Sequence, residues 1–155
     1  MGDRARRGPE RGLLRNRWTV AAALATIAIV ASACGGAAAP SDTGDVPTLY
    51  ADLSDYRIVT DHPTVAAGRV VFGIRNHAAM AHELVVIKTD LAPDQLPLDG
   101  ATAKARDDGK VGELLNIGGG ASRKLVLDLV PGKYVLICNI AGHYQLGMRA
   151  ALVVQ

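Results

Sequence analysis

An eleven-residue segment near the end of the chain carries three side chains that bind soft metals. Cys138, His143 and Met148 lie in this segment, and a second histidine, His82, stands upstream at the head of an apolar, β-branched run. One thiolate, two imidazoles and a thioether are the ligands of a mononuclear copper site, in which Cys and His bind in a trigonal plane and Met is a long axial ligand. The four residues therefore predict one copper ion, and a fold that brings His82 to the other three.

The spacing gives a physical reason for this grouping. Cys138 ends one predicted strand and Met148 immediately precedes the next, so the loop between them can fold its side chains around one point. His82 begins a different strand and reaches the site across the fold. The competing interpretation is a buried structural Cys and Met with two histidines on loops, since free Cys and Met are common core residues. The order of all four residues at strand ends favours the metal site.

The first 33 residues have the composition of a secretory signal. Residues 1–17 contain six arginines, and residues 18–33 are almost wholly apolar and uncharged. The end of this segment, Ser32-Ala33-Cys34, resembles the bacterial lipobox. That resemblance implies cleavage before Cys34, acylation of its thiol and a place on the outer face of the cell membrane or in the periplasm. Two alternatives are a plain secretory signal and an uncleaved anchor, although sixteen apolar residues fall short of the ~20 of a spanning helix.

Charge and cysteine content indicate whether a nucleic-acid partner or a disulfide is to be expected. Residues 1–34 carry six Arg against two acidic residues, a net charge of +4, while the whole chain is +2, so residues 35–155 carry about −2. The mature domain therefore lacks the basic footprint of a nucleic-acid-binding protein, and no nucleic-acid partner is predicted. Of the two cysteines, Cys34 is assigned to the lipid and Cys138 to the metal, so no disulfide is expected.

The rest of the chain divides into a tether and one domain. Residues 34–48 are small, Pro-containing and weakly charged, which predicts a flexible tether. Residues 49–155 contain short alternating or β-branched segments punctuated by Gly and Pro, which predict an all-β sandwich. Within them, residues 94–97 and 111–115 have the pattern of a helical turn or two. The predicted strands are residues 56–60, 69–76, 82–88, 124–129, 133–138 and 149–154.

The C-terminal pattern of the domain resembles a known family. It runs strand, Cys, four residues, His, four residues, Met, strand, with another histidine about 55 residues upstream. This arrangement is similar to that of the cupredoxins, which include plastocyanin, azurin, auracyanin and sulfocyanin, and the resemblance covers residues 49–155. It implies an all-β, Greek-key sandwich with copper near one end and close to the surface. Carried over by motif, the ligands are His82, Cys138, His143 and Met148.

The surroundings of these ligands leave several roles open. Many cupredoxins have Asn after the first histidine ligand, where this chain has Glu83. Asn76 and Asn139 are candidates for a hydrogen bond to the thiolate, and the alternative for each is an ordinary turn or loop position. We name these three residues as the predicted surroundings of the site, because groups around the ligands tune metal affinity and potential.

The upstream segment contains a second group of potential ligands. His77, Met80 and His82 follow the pattern His-x-x-Met-x-His, which would suit a transient Cu(I) site. We interpret this segment as the loop before the ligand His82, because no separate ligand set closes around it. His62 is interpreted as a surface turn. Tyr144 either lies at the exposed rim of the site, where it could contact a redox partner, or simply packs.

Three functions are compatible with a copper site of this kind. The leading one is an electron carrier between a donor and an acceptor redox protein, held at the membrane through Cys34 and with no small-molecule substrate. The second is a carrier or buffer that delivers or sequesters copper, for which the three methionines of the chain are few. The third is a copper enzyme. It is not expected, because multicopper oxidases and nitrite reductases combine two or more such domains and need more than the four histidines here.

Overall fold

The computed structural model describes residues 44–155, so the predicted signal and Cys34 lie outside the described residues. In the described part of the chain the regular structure is all β, and no helix there is long and apolar enough to cross a membrane. The strands are β1 (Leu49–Ser54), β2 (Arg57–Thr60), β3 (Thr64–Val65), β4 (Gly68–Asn76), β5 (His82–Lys88), β6 (Leu98–Asp99), β7 (Lys104–Ala105), β8 (Lys110–Ile117), β9 (Ser122–Leu129), β10 (Gly132–Ile137) and β11 (Arg149–Val154).

The strands form a sandwich of two sheets and a small separate hairpin. One sheet has the order β2-β1-β4-β9 and the other β3-β11-β10-β5-β8, while β6 pairs with β7. β1 runs parallel to β4 and β3 runs parallel to β11, and the other pairs are antiparallel. This architecture confirms the predicted all-β, Greek-key sandwich.

The main core lies between the two sheets and is built by alternation along the strands. In β1 every second residue points inward, so Leu49, Ala51 and Leu53 are fully buried. Phe72 from β4 and Leu136 from β10 belong to the same cluster. Aliphatic side chains make up most of it, as the low aromatic content of the sequence predicts.

A second apolar cluster lies on the opposite face of the five-stranded sheet. Residues of β5 and β10 that alternate with the core-facing ones turn their side chains to this face, because successive side chains on a strand point to opposite sides. β5 and β10 are therefore buried on both faces, which explains why their sequences are continuous apolar runs. The members of the cluster are Val85, Ile87, Leu96, Ala105, Val135, Ile137 and Tyr144.

The prediction of helical turns between β5 and β9 is wrong. Residues 111–115 belong to β8, in which Leu114 pairs with Leu84 of β5 and packs against the main core. Pairing with a neighbouring strand and burial of alternate residues outweigh the weak local helical pattern. Residue 94 lies in a turn, and residues 95–97 lead into β6 without regular structure.

Three strand ends meet at one end of the five-stranded sheet. His82 is the first residue of β5, Cys138 follows the last residue of β10, and Met148 precedes β11. Because β10 is antiparallel to both β5 and β11, the start of β5, the end of β10 and the start of β11 lie side by side. Strand pairing thus brings His82 to a loop that is distant in sequence.

Candidate metal centre

Three of the predicted ligands converge at this end of the sheet. The Sγ atom of Cys138 lies 3.8 Å from Nδ1 of His82 and 3.5 Å from Nδ1 of His143. One potential ligand atom from each of the three residues lies within 4.8 Å of the others. His82 and Cys138 are fully buried and His143 is 8% exposed, so His143 is the member of this group nearest the surface.

The fourth predicted ligand, Met148, is fully buried in the same core cluster as Cys138. Its carbonyl oxygen accepts a hydrogen bond of 3.1 Å from the backbone N–H of Cys138, and its own N–H donates to the carbonyl of His143 at 3.0 Å. These two bonds close the loop of residues 138–148, which we call the ligand loop. The structure therefore brings all four predicted residues to one place.

The donor atoms are spaced as a metal ion would require. Metal–nitrogen and metal–sulfur bonds of roughly 2.0 and 2.3 Å, meeting at the roughly 120° of a trigonal plane, separate the two ligand atoms by roughly 3.7 Å. The two observed separations of 3.8 and 3.5 Å lie close to that value. Nδ1 of His82 is the nitrogen that faces the sulfur of Cys138, at 3.8 Å, while its Nε2 atom is buried and has no hydrogen-bond partner among the described residues.

Burial sets the protonation of the site in the absence of metal. Burial lowers the pKa of His82, and repulsion from His143 lowers it further, so the imidazole is neutral and has a free lone pair at neutral pH. Burial also raises the pKa of Cys138, against the hydrogen bonds that its sulfur accepts from backbone N–H groups. The thiol therefore keeps its proton until a metal displaces it, and metal binding releases that proton.

Glu83 contacts the site through its backbone. Its N–H donates a hydrogen bond of 3.3 Å to Sγ of Cys138. Since every residue except Pro supplies this donor, the bond does not depend on the side chain at this position. Glu83 also lines a surface cavity, with Asn139 among the other lining residues, and its negative charge helps to raise the pKa of Cys138.

Asn76 holds the loop that precedes His82. Its Nδ2 donates to the carbonyl oxygens of Met80, Ile117 and Gly118 at 2.8, 2.9 and 3.1 Å. Its Oδ1 accepts from the N–H of Ala78 at 3.0 Å. The side chain thus joins the segment before β5 to the end of β8, and these four hydrogen bonds go to backbone groups and not to the thiolate.

Asn139 bonds to the β6–β7 hairpin. Its Oδ1 accepts from the N–H of Ala105 at 2.9 Å, and its Nδ2 donates to the carbonyl of the same residue at 3.0 Å. Tyr144 is buried in the second apolar cluster, and its hydroxyl oxygen accepts from the N–H of Leu96 at 2.9 Å, so it packs against that cluster and is not exposed at the rim of the site.

The segment His77 to Met80 is engaged elsewhere. Nε2 of His77 lies 2.9 Å from Oδ1 of Asp52, and the Met80 side chain is exposed. The group of ligand-type side chains that converges in residues 44–155 is His82 with Cys138 and His143, and His77 is not part of it. His62 is on the surface, next to Asp61.

Sequence reasoning missed Tyr56. Its ring packs edge-on against the imidazole of His143, with the centroids 5.5 Å apart, and it is 41% exposed. The sequence pattern placed Tyr56 at the start of the predicted strand of residues 56–60, whereas the structure places it in the turn between β1 and β2. Neither position indicates contact with a residue so far along the chain.

Comparison with known proteins agrees with this geometry. The sequence model of the family described as copper-binding proteins of the plastocyanin/azurin family matches residues 51–155. No curated protein sequence matches the chain.

Several solved structures are similar to it. Na-dithionite reduced auracyanin from Roseiflexus castenholzii is 20% identical, with a TM-score of 0.50 over 68% of this chain and 94% of that one. Auracyanin B is 17% identical, with a TM-score of 0.51 over 72% and 91%. A substituted rusticyanin is 16% identical, with a TM-score of 0.50 over 68% and 76%. At these identities the likeness shows the fold, and the family match shows the membership.

The fold, the converging donors and the family match lead to one conclusion. His82, Cys138, His143 and Met148 form a site suited to a single copper ion. The chain belongs to the plastocyanin/azurin family of copper-binding proteins, the blue copper cupredoxins.

Proposed function

We propose that this chain is a type 1 copper protein that carries single electrons between two redox proteins, a donor and an acceptor. The observation that supports this most directly is the spacing of the ligand atoms, with Cys138 Sγ at 3.8 and 3.5 Å from the Nδ1 atoms of His82 and His143. Bound copper would supply a Cu(II)/Cu(I) couple. Ligands that are already in place need little rearrangement when the charge at the site changes, which favours fast electron exchange.

The fold resists movement of these ligands. His82 pairs with Ile117 in the ladder between β5 and β8. Cys138, His143 and Met148 are joined by the two backbone hydrogen bonds that close the ligand loop. Release of the metal requires ligands from two separate parts of the sandwich to move apart. This argues for a protein that keeps its copper and against the alternative of a copper-delivery protein.

Partner proteins are proposed to approach on the side of His143. This is the ligand nearest the surface, and the exposed ring of Tyr56 lies against it. Leu146, in the ligand loop, is 60% exposed and adds apolar surface. Electron-transfer partners commonly meet through small, weak interfaces, which a limited apolar area around one ligand can supply.

We also propose that the protein is a carrier and not an enzyme. Catalytic metal sites keep one coordination position open for water or substrate. Here four donor side chains come from the chain itself, and three of them, His82, Cys138 and Met148, are fully buried. A substrate would have to displace a buried ligand to reach the metal.

The proposed location is outside the cytoplasm, with the protein tethered to the membrane. The support comes from the sequence alone: the arginine-rich start, the apolar stretch of residues 18–33 and the lipobox-like end at Cys34. Residues 34–48 would serve as the tether between lipid and domain.

The test separates electron transfer from copper delivery. Reduced, copper-loaded protein is mixed in one experiment with a one-electron oxidant and in another with a competing Cu(I) chelator. Fast oxidation with slow loss of copper is the expected result. Fast loss of copper with slow oxidation would contradict the proposal and favour the delivery function. The Cys138→Ser variant is the control for copper bound elsewhere on the chain.

A further inference from the structure

The β6–β7 hairpin is bonded to the ligand loop at positions next to two metal ligands. Asn139, which follows Cys138, exchanges two hydrogen bonds with Ala105 of β7, at 2.9 and 3.0 Å. Gly142, which precedes His143, donates its N–H to the carbonyl of Ala103 at 2.8 Å.

A further contact lies on the other side of His143. The hydroxyl oxygen of Tyr144 accepts the N–H of Leu96, in the segment that leads into β6, at 2.9 Å. Asn139 and Gly142 bond the hairpin on the near side of His143, and Tyr144 bonds this leading segment on the far side. Cys138 and His143 are therefore flanked by residues that are hydrogen-bonded to the segment of residues 96–105.

The contacts of Asn139 with Ala105 and of Tyr144 with Leu96 are buried, which makes them costly to break. Leu96, Ala105 and Tyr144 are each less than 10% exposed and pack together on the outer face of β5 and β10. Asn139 is 9% exposed, and its amide pairs with both the donor and the acceptor of one backbone residue. Removing that amide leaves a buried N–H and a buried carbonyl without partners.

The hairpin adopts an unfavourable backbone conformation at one of these contacts. Ala103, whose carbonyl accepts from Gly142, has a φ of 55°, in the left-handed region that residues with a Cβ rarely adopt. Such strain persists where the surrounding structure fixes it, and it is commonly found at functional sites. At Ala103 it coincides with a hydrogen bond to the ligand loop.

We infer that the β6–β7 hairpin holds Cys138 and His143 at ligand distance before the metal binds, with Asn139 as the positioning residue. This inference rests on the copper site of the proposed function and not on the identity of any redox partner. Its consequence is that the ligand loop is ordered in the metal-free protein. Loss of Asn139 would loosen the loop and change the metal geometry.

The primary test is amide hydrogen exchange in the metal-free Asn139→Ala protein. We expect residues 140–147 to exchange about tenfold faster or more, relative to the amides of β4. Thr102→Ala is the matched control in the same hairpin, because the Thr102 hydroxyl bonds Asp99 within the hairpin. Val154→Ala is the control for general destabilisation, since Val154 pairs with Gly132 at the end of the sheet remote from the site. Neither control should raise exchange in the ligand loop relative to β4.

A second readout uses the copper-loaded protein. Asn139→Ala should weaken copper affinity by about 10- to 100-fold, the usual effect of losing a group that orients a metal ligand, and should shift the visible absorption band. Tyr144→Phe keeps the ring and removes only the acceptor for Leu96. It should raise exchange around His143 to a smaller extent, and it is the informative variant if Asn139→Ala does not fold.

Unchanged ligand-loop exchange in metal-free Asn139→Ala or Tyr144→Phe would overturn the inference. The same holds if the melting temperature falls as in Val154→Ala while the absorption band stays in place, because Asn139 would then be a purely structural residue. Exchange is measured without copper and without a redox partner, so failure of the proposed electron transfer leaves this result unaffected.

Discussion

The ring of Tyr56 stands edge-on against the imidazole of His143, with centroids 5.5 Å apart and planes inclined by 77°. Tyr56 lies in the turn between β1 and β2 and has a φ of 58°, a conformation that is unfavourable for a bulky residue. Built on the backbone of Gly147, a Cβ would lie 3.1 Å from the carbonyl oxygen of Tyr56, so the turn also packs closely on the ligand loop. The turn thus covers the ligand nearest the surface.

The ring and the backbone of Tyr56 make separable contributions to stability. Tyr56→Ala should lower the free energy of unfolding by about 1 kcal/mol, the size of an edge-to-face aromatic contact, while Tyr56→Phe should be nearly neutral. Tyr56→Gly loses the same ring contact but relieves the backbone strain, so it should be more stable than Tyr56→Ala. Denaturant unfolding measures all three. Equal stability of the Ala and Gly variants would show that the backbone is not strained at this position.

Cys138 is expected to be essential for the colour of the oxidised protein. A thiolate bound to Cu(II) gives an intense visible transition, and the hydroxyl of Cys138→Ser cannot replace the soft sulfur ligand. The variant should lose that band entirely while the metal-free domain keeps its β-sheet circular dichroism. Retention of full colour by Cys138→Ser would refute the assignment of this residue as a ligand.

Met148 is expected to tune the reduction potential as a weak axial ligand. Met148→Leu should retain copper and raise the potential, because an apolar side chain donates no electrons to Cu(II). Met148→Gln should lower it, because an oxygen ligand favours the oxidised state. Shifts of tens of millivolts are expected, where roughly 59 mV is a tenfold change in the ratio of the affinities for the two oxidation states. Voltammetry that gives unchanged potentials in both variants would place Met148 outside the metal's reach.

The four metal ligands could be predicted from the sequence because the signal is local and consists of residue types and their spacing. Cys138, His143 and Met148 stand at fixed spacing between two strands, and His82 begins a β-branched run. The strands that carry them have strong periodic or continuous apolar patterns, so the strands themselves could be predicted, whereas the pairing that brings their ends together is seen only in the structure. Residues 111–115 were misjudged because their pattern is weak and their structure depends on pairing with β5.

Long-range contacts explain what sequence reasoning could not supply. The partner of Asn139 is the backbone of Ala105, and any residue except Pro could offer the same N–H and carbonyl. The contact of Tyr56 with His143 joins two loops with no shared periodicity. The metal ligands can be predicted from the sequence, whereas the contacts of Asn139 and Tyr56 that hold the ligand loop can be identified only from the folded structure.

The lipobox-like end of the signal predicts a mature protein that starts at an acylated Cys34. Each buried CH₂ of a lipid chain adds ~0.8 kcal/mol of membrane affinity, so two or more chains should hold the protein stably. Cys34→Ala should release the protein or leave it uncleaved and held by residues 18–33. Mass spectrometry of the N-terminus distinguishes these cases. An unmodified N-terminus downstream of residue 34 in the unaltered protein would rule out lipid attachment.

Asp52 is expected to make stability depend on pH on the acid side. Burial alone would raise the pKa of this carboxyl, but hydrogen bonds and charge interactions with Arg75 and His77 outweigh it and lower the pKa overall. Arg75 donates to both carboxylate oxygens, at 2.7 and 2.9 Å. A lowered folded-state pKa means that the stabilisation is fully present above the unfolded value and is lost as pH falls through the folded value.

The Asp52→Asn variant tests this expectation. At pH 7 it should be slightly less stable than the unaltered protein, and the effect should be small because the ion pair is partly exposed and screened by solvent. The difference between the two proteins should begin to shrink at about pH 4, the value of an unperturbed aspartate, and disappear below the lowered folded-state pKa of Asp52. Asp108→Asn is the matched control, since Asp108 pairs with Arg106 but its side chain is 74% exposed. Urea unfolding at a series of pH values provides the measurement. A stability difference that persists unchanged below the folded-state pKa would show that ionisation of Asp52 is not its source.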